Sequence, residues 1–397
     1  MDNYPILIFN ALQIIVLIIL GLSTLYIFVF SFGGLFYKQS PYPKPARHRK
    51  IAVFIPGYKE DEVIVQVAKA ALLQNYPSGL YDVVIIADSF QPETIAKLRD
   101  LPIKVIEVVF EKSTKSKALN RAMEQLDDKY DIAVILDADN IMANDFLTKI
   151  NIAFESDFLA VQGHRTAKNM NTSLAVLDAI SEEINNHIFR KGHRVLGLSS
   201  AIIGSGMAFK YDYFKQLMST VKAVGGFDKE IELKMLKAGH IIAYLDDAYV
   251  YDEKVSKAEV FSNQRRRWLS AQLHYFRLDF LSSLKDLFLK ANFDYFDKAL
   301  QFIQPPRILL LGAVILFGAL FIIANIIINS TLLLGLWISV MILCLLAFLF
   351  AVPGSFYNLK TARAILSLPK GMLLMLGSLL KIKGANKQFI HTKHTSN

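Results

Sequence analysis

Residues 132–140 read Ile-Ala-Val-Ile-Leu-Asp-Ala-Asp-Asn, five apolar residues that run straight into two carboxylates and an amide. An apolar run without alternation, closed by turn-forming residues, predicts a short strand buried on both faces. Working outward, strands are expected at 51–55, 83–87 and 103–110, with a helix over 61–73. Wholly apolar strands separated by helices predict an α/β fold whose sheet is mostly parallel and covered on both faces. Ligands of such sheets bind beyond the carboxyl ends of the strands.

That edge collects three polar clusters: Pro56-Gly57-Tyr58-Lys59-Glu60, Asp88-Ser89 and Asp137-Ala138-Asp139-Asn140. Any one of them suits a helix cap or a turn. Three on one edge of one sheet suit a binding site. Asp137 and Asp139 present two hard carboxylates on one turn, as Mg²⁺ or Mn²⁺ requires when it also holds phosphate oxygens.

Outside this core lie three apolar runs, at 6–36, 308–328 and 332–352. Each is long enough to cross a hydrocarbon layer of roughly 30 Å. The first run follows Met1-Asp2-Asn3-Tyr4-Pro5, which has no basic residue, so a retained anchor is expected rather than a cleaved signal. Lys38, Lys44, Arg47, Arg49 and Lys50 follow the first run, and Lys360, Arg363 and Lys370 follow the third, while Asn329-Ser330-Thr331 is uncharged. The positive-inside rule then orients an integral protein of the cell inner membrane, with its N-terminus outside and the central domain and C-terminus cytoplasmic.

Over 273–300, Phe276, Phe280, Leu284, Leu287 and Phe288 recur at helical spacing against Arg277, Asp279, Lys285, Asp286 and Lys290. This predicts interfacial helices, with a core-facing helix as the alternative. Pro369 and Lys370 make 364–380 an interfacial segment rather than a fourth span. The expected organisation is a transmembrane helix at 1–37, a cytoplasmic catalytic domain at 38–272 and amphipathic interfacial helices at 273–306. Two transmembrane helices at 307–353 follow, then an interfacial segment and cytoplasmic tail at 354–397.

The chain is 53% apolar and carries a formal charge of +9. Many of its basic residues flank the apolar runs, which points to anionic membrane lipid and away from nucleic acid. A single cysteine, Cys344, excludes an intramolecular disulfide and a thiolate zinc site. The spans hold almost no ionisable residues, which argues against a transporter.

In order along the chain, PGYKE (56–60), ADS (87–89), KSKALN (115–120), DADN (137–140), GGFDKEIEL (225–233) and QRRRW (264–268) resemble the motifs of family 2 glycosyltransferases. QRRRW fits the QxxRW pattern of the membrane-integrated branch that includes cellulose and hyaluronan synthases. The resemblance covers about residues 50–270 plus the membrane frame. It implies a GT-A-type nucleotide-binding domain and a UDP-sugar donor held with Mg²⁺ or Mn²⁺.

Carried over to the matching positions, the resemblance implies that Tyr58, Glu60 and Asp88 contact the uridine part and Lys115 the nucleotide region. Asp137 would lie against the nucleotide and share the metal with Asp139, the direct ligand. Gln264, Arg267 and Trp268 would close over the diphosphate, with Trp268 also a platform for the acceptor sugar. The charge gained by a departing diphosphate calls for such an ion and for cations such as Lys115 and Arg267. Counting back from Gly239 places Asp228 at the aspartate of the family's acid pair, with Phe227 where the other acid usually stands. Asp228 is the expected general base and Glu230 its rival.

His164, in Gln162-Gly163-His164-Arg165, is expected at the acceptor site, and Gly204-Ser205-Gly206 could allow an acceptor close to the backbone. Phe389-Ile390-His391-Thr392-Lys393-His394 is similar to the aromatic-x-x-Thr tail of some relatives. The reaction expected is inverting transfer that builds an envelope or extracellular polysaccharide. The alternative is transfer of one sugar to a lipid acceptor at the cytoplasmic face.

Overall fold

The computed structural model describes residues 4–39, 45–127, 129–223 and 225–382, so Lys44 and the tail motif beginning at Phe389 lie outside the described residues. Strands β1 (Ile51–Tyr58), β2 (Tyr81–Asp88), β3 (Lys104–Val108), β4 (Ile132–Ile135), β5 (Ile141–Met142), β6 (Ala160–Ala167), β7 (Met207–Lys210) and β8 (Ile242–Asp252) form one sheet. Their order is β3-β2-β1-β4-β7-β6-β8-β5. The strands from β3 to β4 are mutually parallel, as is the pair β6 and β8. β7 runs antiparallel between β4 and β6, and β5 runs antiparallel to β8, so the sheet is mixed.

The antiparallel strand matters for the site. β4 and β7 pair Ile135 with Met207, so the residues just before β7 lie beside those just after β4. The loop Gly204-Ser205-Gly206 therefore reaches the same edge as the DADN turn. The order of strands reverses between β1 and β4, the position where open α/β sheets leave a crevice.

Side chains alternate between two cores. Ile51, Val53 and Ile55 pack with Ile64, Val67, Phe146 and Ile150, whereas Ala52 and Phe54 pack with Leu119, Phe214 and Ile231. Each fully buried large apolar side chain contributes about 1.5–3 kcal/mol, so both faces of β1 resist displacement. The covering helices are α2 (Ile64–Ala71), α3 (Pro92–Arg99), α4 (Lys115–Gln125) and α5 (Phe146–Ala153), numbered after the long apolar α1 (Tyr4–Gly34). Further along come α6 (Ser173–Asn186), a π-helical turn (His187–Gly192) leading into α7 (His193–Val195), α8 (Tyr211–Ser219) and α9 (Phe227–Lys237).

The C-terminal part contains α10 (Ala258–Lys290), α11 (Phe293–Gln301), α12 (Arg307–Ile327), α13 (Thr331–Ala351), α14 (Leu359–Ile365) and α15 (Leu368–Leu380). Three helices, α1, α12 and α13, are long and apolar enough to cross a membrane. α14 and α15 pass the same test only as one span bent by 49°. A third apolar core joins α1, α12 and α13 through Leu20, Phe30, Val314, Phe321, Trp337 and Cys344, and also takes in Ile184 and Ile188. Within it, Gln13 and Asn325 exchange amide hydrogen bonds of 3.3 and 2.9 Å, satisfying two polar groups away from water.

α10 is one unbroken helix of 33 residues, so it runs through the expected division at 272/273. It carries QRRRW near its start and an exposed apolar set, Leu278, Leu281, Phe288 and Leu289, toward its end. Of the face expected at the interface, Phe280 instead packs on Phe296 of α11, with ring centroids 6.3 Å apart.

Candidate active site

β1 and β2 end in register, with Tyr58 opposite Asp88. Both chains then leave through left-handed residues, Lys59 at φ +54° and Ser89 at φ +59°. Such conformations are costly for residues with a side chain and concentrate at functional sites. The Lys59 amide donates to the Asp88 carbonyl at 3.0 Å, and the Ser89 hydroxyl donates to the Asp88 carboxylate at 2.9 Å. Asp88 and Glu60 are buried there. At Gly57 the Phe90 ring packs close to the strand, 2.7 Å from where a Cβ would lie.

The DADN turn is held from two sides. The Asp137 amide donates to Asn140 Oδ1 at 3.2 Å and to Ser205 Oγ at 3.1 Å, and the Ser205 hydroxyl bonds Asn140 in turn. Asp139 is buried and accepts from the Asn140 amide at 3.1 Å and from the Glu253 backbone at 3.2 Å. Asp137 is the more open carboxylate. Its Oδ1 lies 2.6 Å from Lys115 Nζ, which also donates to the Gly204 carbonyl at 2.7 Å. Lys115 opens α4 behind its cap, Thr114, whose hydroxyl accepts from Lys117 N at 3.2 Å.

Gly204, at φ +78°, abuts the first turn of α9, where an added Cβ would sit 3.7 Å from Asp228 Cγ. The same turn is set by Gly226, at φ +72°, whose added Cβ would lie 3.0 Å from Ala271 on α10. Lys115, Asp137, Asp228, Arg267 and Trp268 thus line one cavity of about 350 Å³. Glu230 turns away from it and pairs with Lys234 at 2.7 Å, leaving Asp228 as the first-turn acid of α9 on the cavity. On α10, the Arg265 guanidinium stacks 4.4 Å from the Trp268 ring and bonds Asp178, which fixes the helix beside the cavity. Burial lowers the pKa of Arg267 from the ordinary guanidinium value.

The profile of the family described as "Glycosyltransferase like family 2" matches residues 48–271. The chain belongs to glycosyltransferase family 2. It is 24% identical over 266 residues to the beta-monoglucosyldiacylglycerol synthase of Nostoc sp., covering 63% of this chain and 55% of that one. It is 25% identical over 244 residues to the probable glycosyltransferase YdaM of Bacillus subtilis, covering 59% and 57% of the two chains. The chain therefore spans a little over half the length of these curated relatives. Among solved structures it shares its fold with a mannosyltransferase from Pyrobaculum calidifontis in complex with GDP-Man and Mn²⁺. That match has a TM-score of 0.57 at 16% identity and covers 94% of this chain and 98% of that one.

In this glycosyltransferase, the donor set near the sheet edge suits a hard divalent ion. Among the described residues no group of three or more His, Cys, Asp or Glu converges as a protein-only cage. Two carboxylates, Asp137 and Asp139, leave the remaining positions of such an ion to phosphate oxygens and water, the usual arrangement for Mg²⁺ with nucleotides.

His164 is not brought into this cavity. Side chains alternate along β6, so Arg165 faces the cavity while His164 and Thr166 line a second one, opposite a bulge of three residues in β8. There His164 lies 2.9 Å from Glu183 and 3.0 Å from Asp246. Burial lowers its pKa, but hydrogen bonds to Asp246 and Glu183 outweigh this and raise it to about 9. His164 is thus held as a buried cation between two carboxylates.

The sequence reading missed a buried ionic network on the cavity wall. Arg165 lies 2.9 Å from Glu182, Lys254 lies 2.8 Å from Asp252, and Arg190 reaches Glu182 at 3.5 Å. Asp252 also accepts from Asn140 at 3.0 Å, which ties the network to the DADN turn. Burial works against the Glu182 charge, yet Arg165, Lys254 and Arg190 hold its pKa well below the carboxylate range. Scattered charges on otherwise apolar elements were the only signal, and periodicity does not reveal which of them converge. The cavity wall carries six basic and four acidic side chains, a positive excess suited to an anionic ligand.

Proposed function

We propose that this enzyme is an inverting, membrane-bound glycosyltransferase that moves one sugar from a UDP-sugar to a lipid acceptor at the cytoplasmic face. The observation that carries this reading is the reach of the cavity that holds Asp137 and Asp228. One part of its wall is the Lys115–Asp137–Asp228 group at the sheet edge, and another is Phe189, which packs on the core of the apolar helices. The three spans pack around a filled core that includes the fully buried Trp337, which suits an anchor for a lipid-facing site better than a conduit for polymer.

In this mechanism Tyr58, Glu60 and Asp88 receive the nucleoside, while Lys115, Gln264 and Arg267 hold the diphosphate. A divalent ion on Asp137 and Asp139 would supply charge neutralisation to the diphosphate oxygens. Asp228 takes the proton of the acceptor hydroxyl as its oxygen bonds the anomeric carbon, and the bond from that carbon to the diphosphate breaks with its electron pair on the nucleotide. Attack from the face opposite the diphosphate inverts the anomeric centre. Trp268, 36% exposed, offers a flat apolar face to a sugar ring.

A second reading, processive synthesis of an envelope polysaccharide, is favoured by QRRRW on α10, which resembles the cellulose and hyaluronan synthase branch. Incubation of the full chain with labelled UDP-glucose or UDP-N-acetylglucosamine and membrane lipid separates the two. A glycolipid carrying one sugar supports the first reading, and long label-bearing polymer supports the second.

A further inference from the structure

The proposed lipid acceptor leaves open what part of the lipid the protein grips, and one buried side chain speaks to that. Arg190 lies in the π-helical turn, an irregularity that recurs at functional sites, and has 0% exposure while lining the cavity. Its Nε donates to the Ala201 carbonyl at 3.2 Å, and Nη1 bonds Asn186 and faces Glu182. Its Nη2 is buried without a hydrogen-bond partner among the described residues, and so is Nε of Arg165 on the same wall. A guanidinium N–H buried without an acceptor loses its water and gains nothing in return, so such a group calls for a partner. Three cations here, Arg165, Arg190 and Lys254, share only two carboxylates, Glu182 and Asp252. Glu182 Oε1, 3.5 Å from Arg190 Nη1, is also buried without a hydrogen-bond partner among the described residues, and the three cations exceed the two ion-paired carboxylates by one charge.

Asp252 ties one end of this network to Asn140 of the DADN turn, and Arg190 joins it through Glu182 at the other end. Lys115 is bonded to the Gly204 carbonyl and Arg190 to the Ala201 carbonyl, at opposite ends of segment 201–204. Next to Arg190, Phe189 carries the Arg307 guanidinium 5.3 Å above its ring, and Arg307 begins the span α12. Ile188 belongs to the core shared with the spans. Arg190 thus stands where the cavity meets the start of α12, one of the helices apolar enough to cross a membrane.

We infer that Arg190, with Arg165, binds a phosphate group carried by the acceptor lipid, so that the acceptor is a phospholipid or a lipid phosphate rather than a neutral glyceride. This rests on the lipid-acceptor reading above. Guanidinium forks match phosphate oxygens in geometry and charge, and a phosphate there would balance the excess charge.

The test uses the full chain in nanodiscs of neutral lipid, with UDP release measured after addition of phosphatidic acid, undecaprenyl phosphate or diacylglycerol. Wild type is expected to use one of the phosphate-bearing lipids with a KM at least about tenfold below that for diacylglycerol. Arg190→Gln should abolish that difference by raising KM for the phosphate lipid, with donor affinity kept, and Arg190→Lys should restore part of it. Inorganic phosphate should compete with the lipid in wild type and not in Arg190→Gln.

Use of diacylglycerol by the wild type as readily as of the phosphate-bearing lipids overturns the inference, as does phosphate that competes with the donor instead of the lipid. Polymer formation, or no UDP release with any acceptor, removes the lipid-acceptor reading itself. A thermal midpoint for each variant distinguishes loss of binding from loss of fold.

Discussion

Lys115 Nζ lies 2.6 Å from Asp137, bridging the first turn of α4 to the turn after β4. Two motifs 22 residues apart in sequence are thereby joined at one edge of the sheet. Charge-assisted bonds of this kind contribute about 1.5–3 kcal/mol. Lys115→Met is expected to weaken UDP binding about tenfold, read by calorimetry, with the fold retained. Unchanged affinity would remove Lys115 from the donor site.

Asp228 shares the cavity with that pair, whereas Glu230 is engaged by Lys234. General bases contribute about 10²–10⁴ in rate. Asp228→Asn should therefore cut transfer at least about a hundredfold while UDP binding persists, and Glu230→Gln should cost far less. The reverse order of effects would make Glu230 the base.

Chelation should abolish UDP release, and Mn²⁺ or Mg²⁺ should restore it. Asp139→Asn should raise the metal concentration needed for half-maximal rate by about tenfold or more, as loss of a direct carboxylate ligand implies. Full activity in chelator would exclude the ion from the reaction.

His164 gives a pH signature. Its pKa is raised from 6.5 to about 9 in the fold, so its stabilisation is complete below pH 6.5 and is lost as pH climbs through 9. Glu183 and Asp246 are shifted down, so their share is present at neutral pH and is lost only in acid. A shift of this size corresponds to at most about 3 kcal/mol. The thermal midpoint of the wild type should fall between pH 6.5 and 9, and His164→Gln should flatten that slope. A parallel decline in both proteins would show that the slope arises elsewhere.

Gly192 packs so closely on α1 that an added Cβ would lie 2.0 Å from the Phe30 carbonyl oxygen. Gly192→Ala must push the π-helical turn away from the first span, and a drop in thermal midpoint on the order of 5 °C is expected. Gly79→Ala, which meets nothing within 4 Å, is the matched control.

Four strands of the sheet's parallel half and the three long apolar helices could be read from the chain itself. Periodicity reports burial, and polar residues at the ends of apolar strands report the edge of a parallel sheet, so Asp88, Asp137 and Asp139 were legible as a group. The antiparallel course of β7 was not, because pairing direction depends on where distant segments return. It alone brings Ser205 onto the DADN turn and Gly204 onto Asp228.

The surroundings of His164 depended on β8, where three extra residues, 246–248, stand between the partners of Gly163 and His164 and bring Asp246 onto the imidazole. Sequence by itself therefore determined the glycosyltransferase family and the long apolar helices. Only the tertiary structure decided that His164 is an ion-paired residue outside the cavity and that Arg165, Glu182 and Arg190 form its wall. Local chemistry is written in the order of residues, whereas convergence of charges from β6, α6 and the π-helical turn is a property of packing.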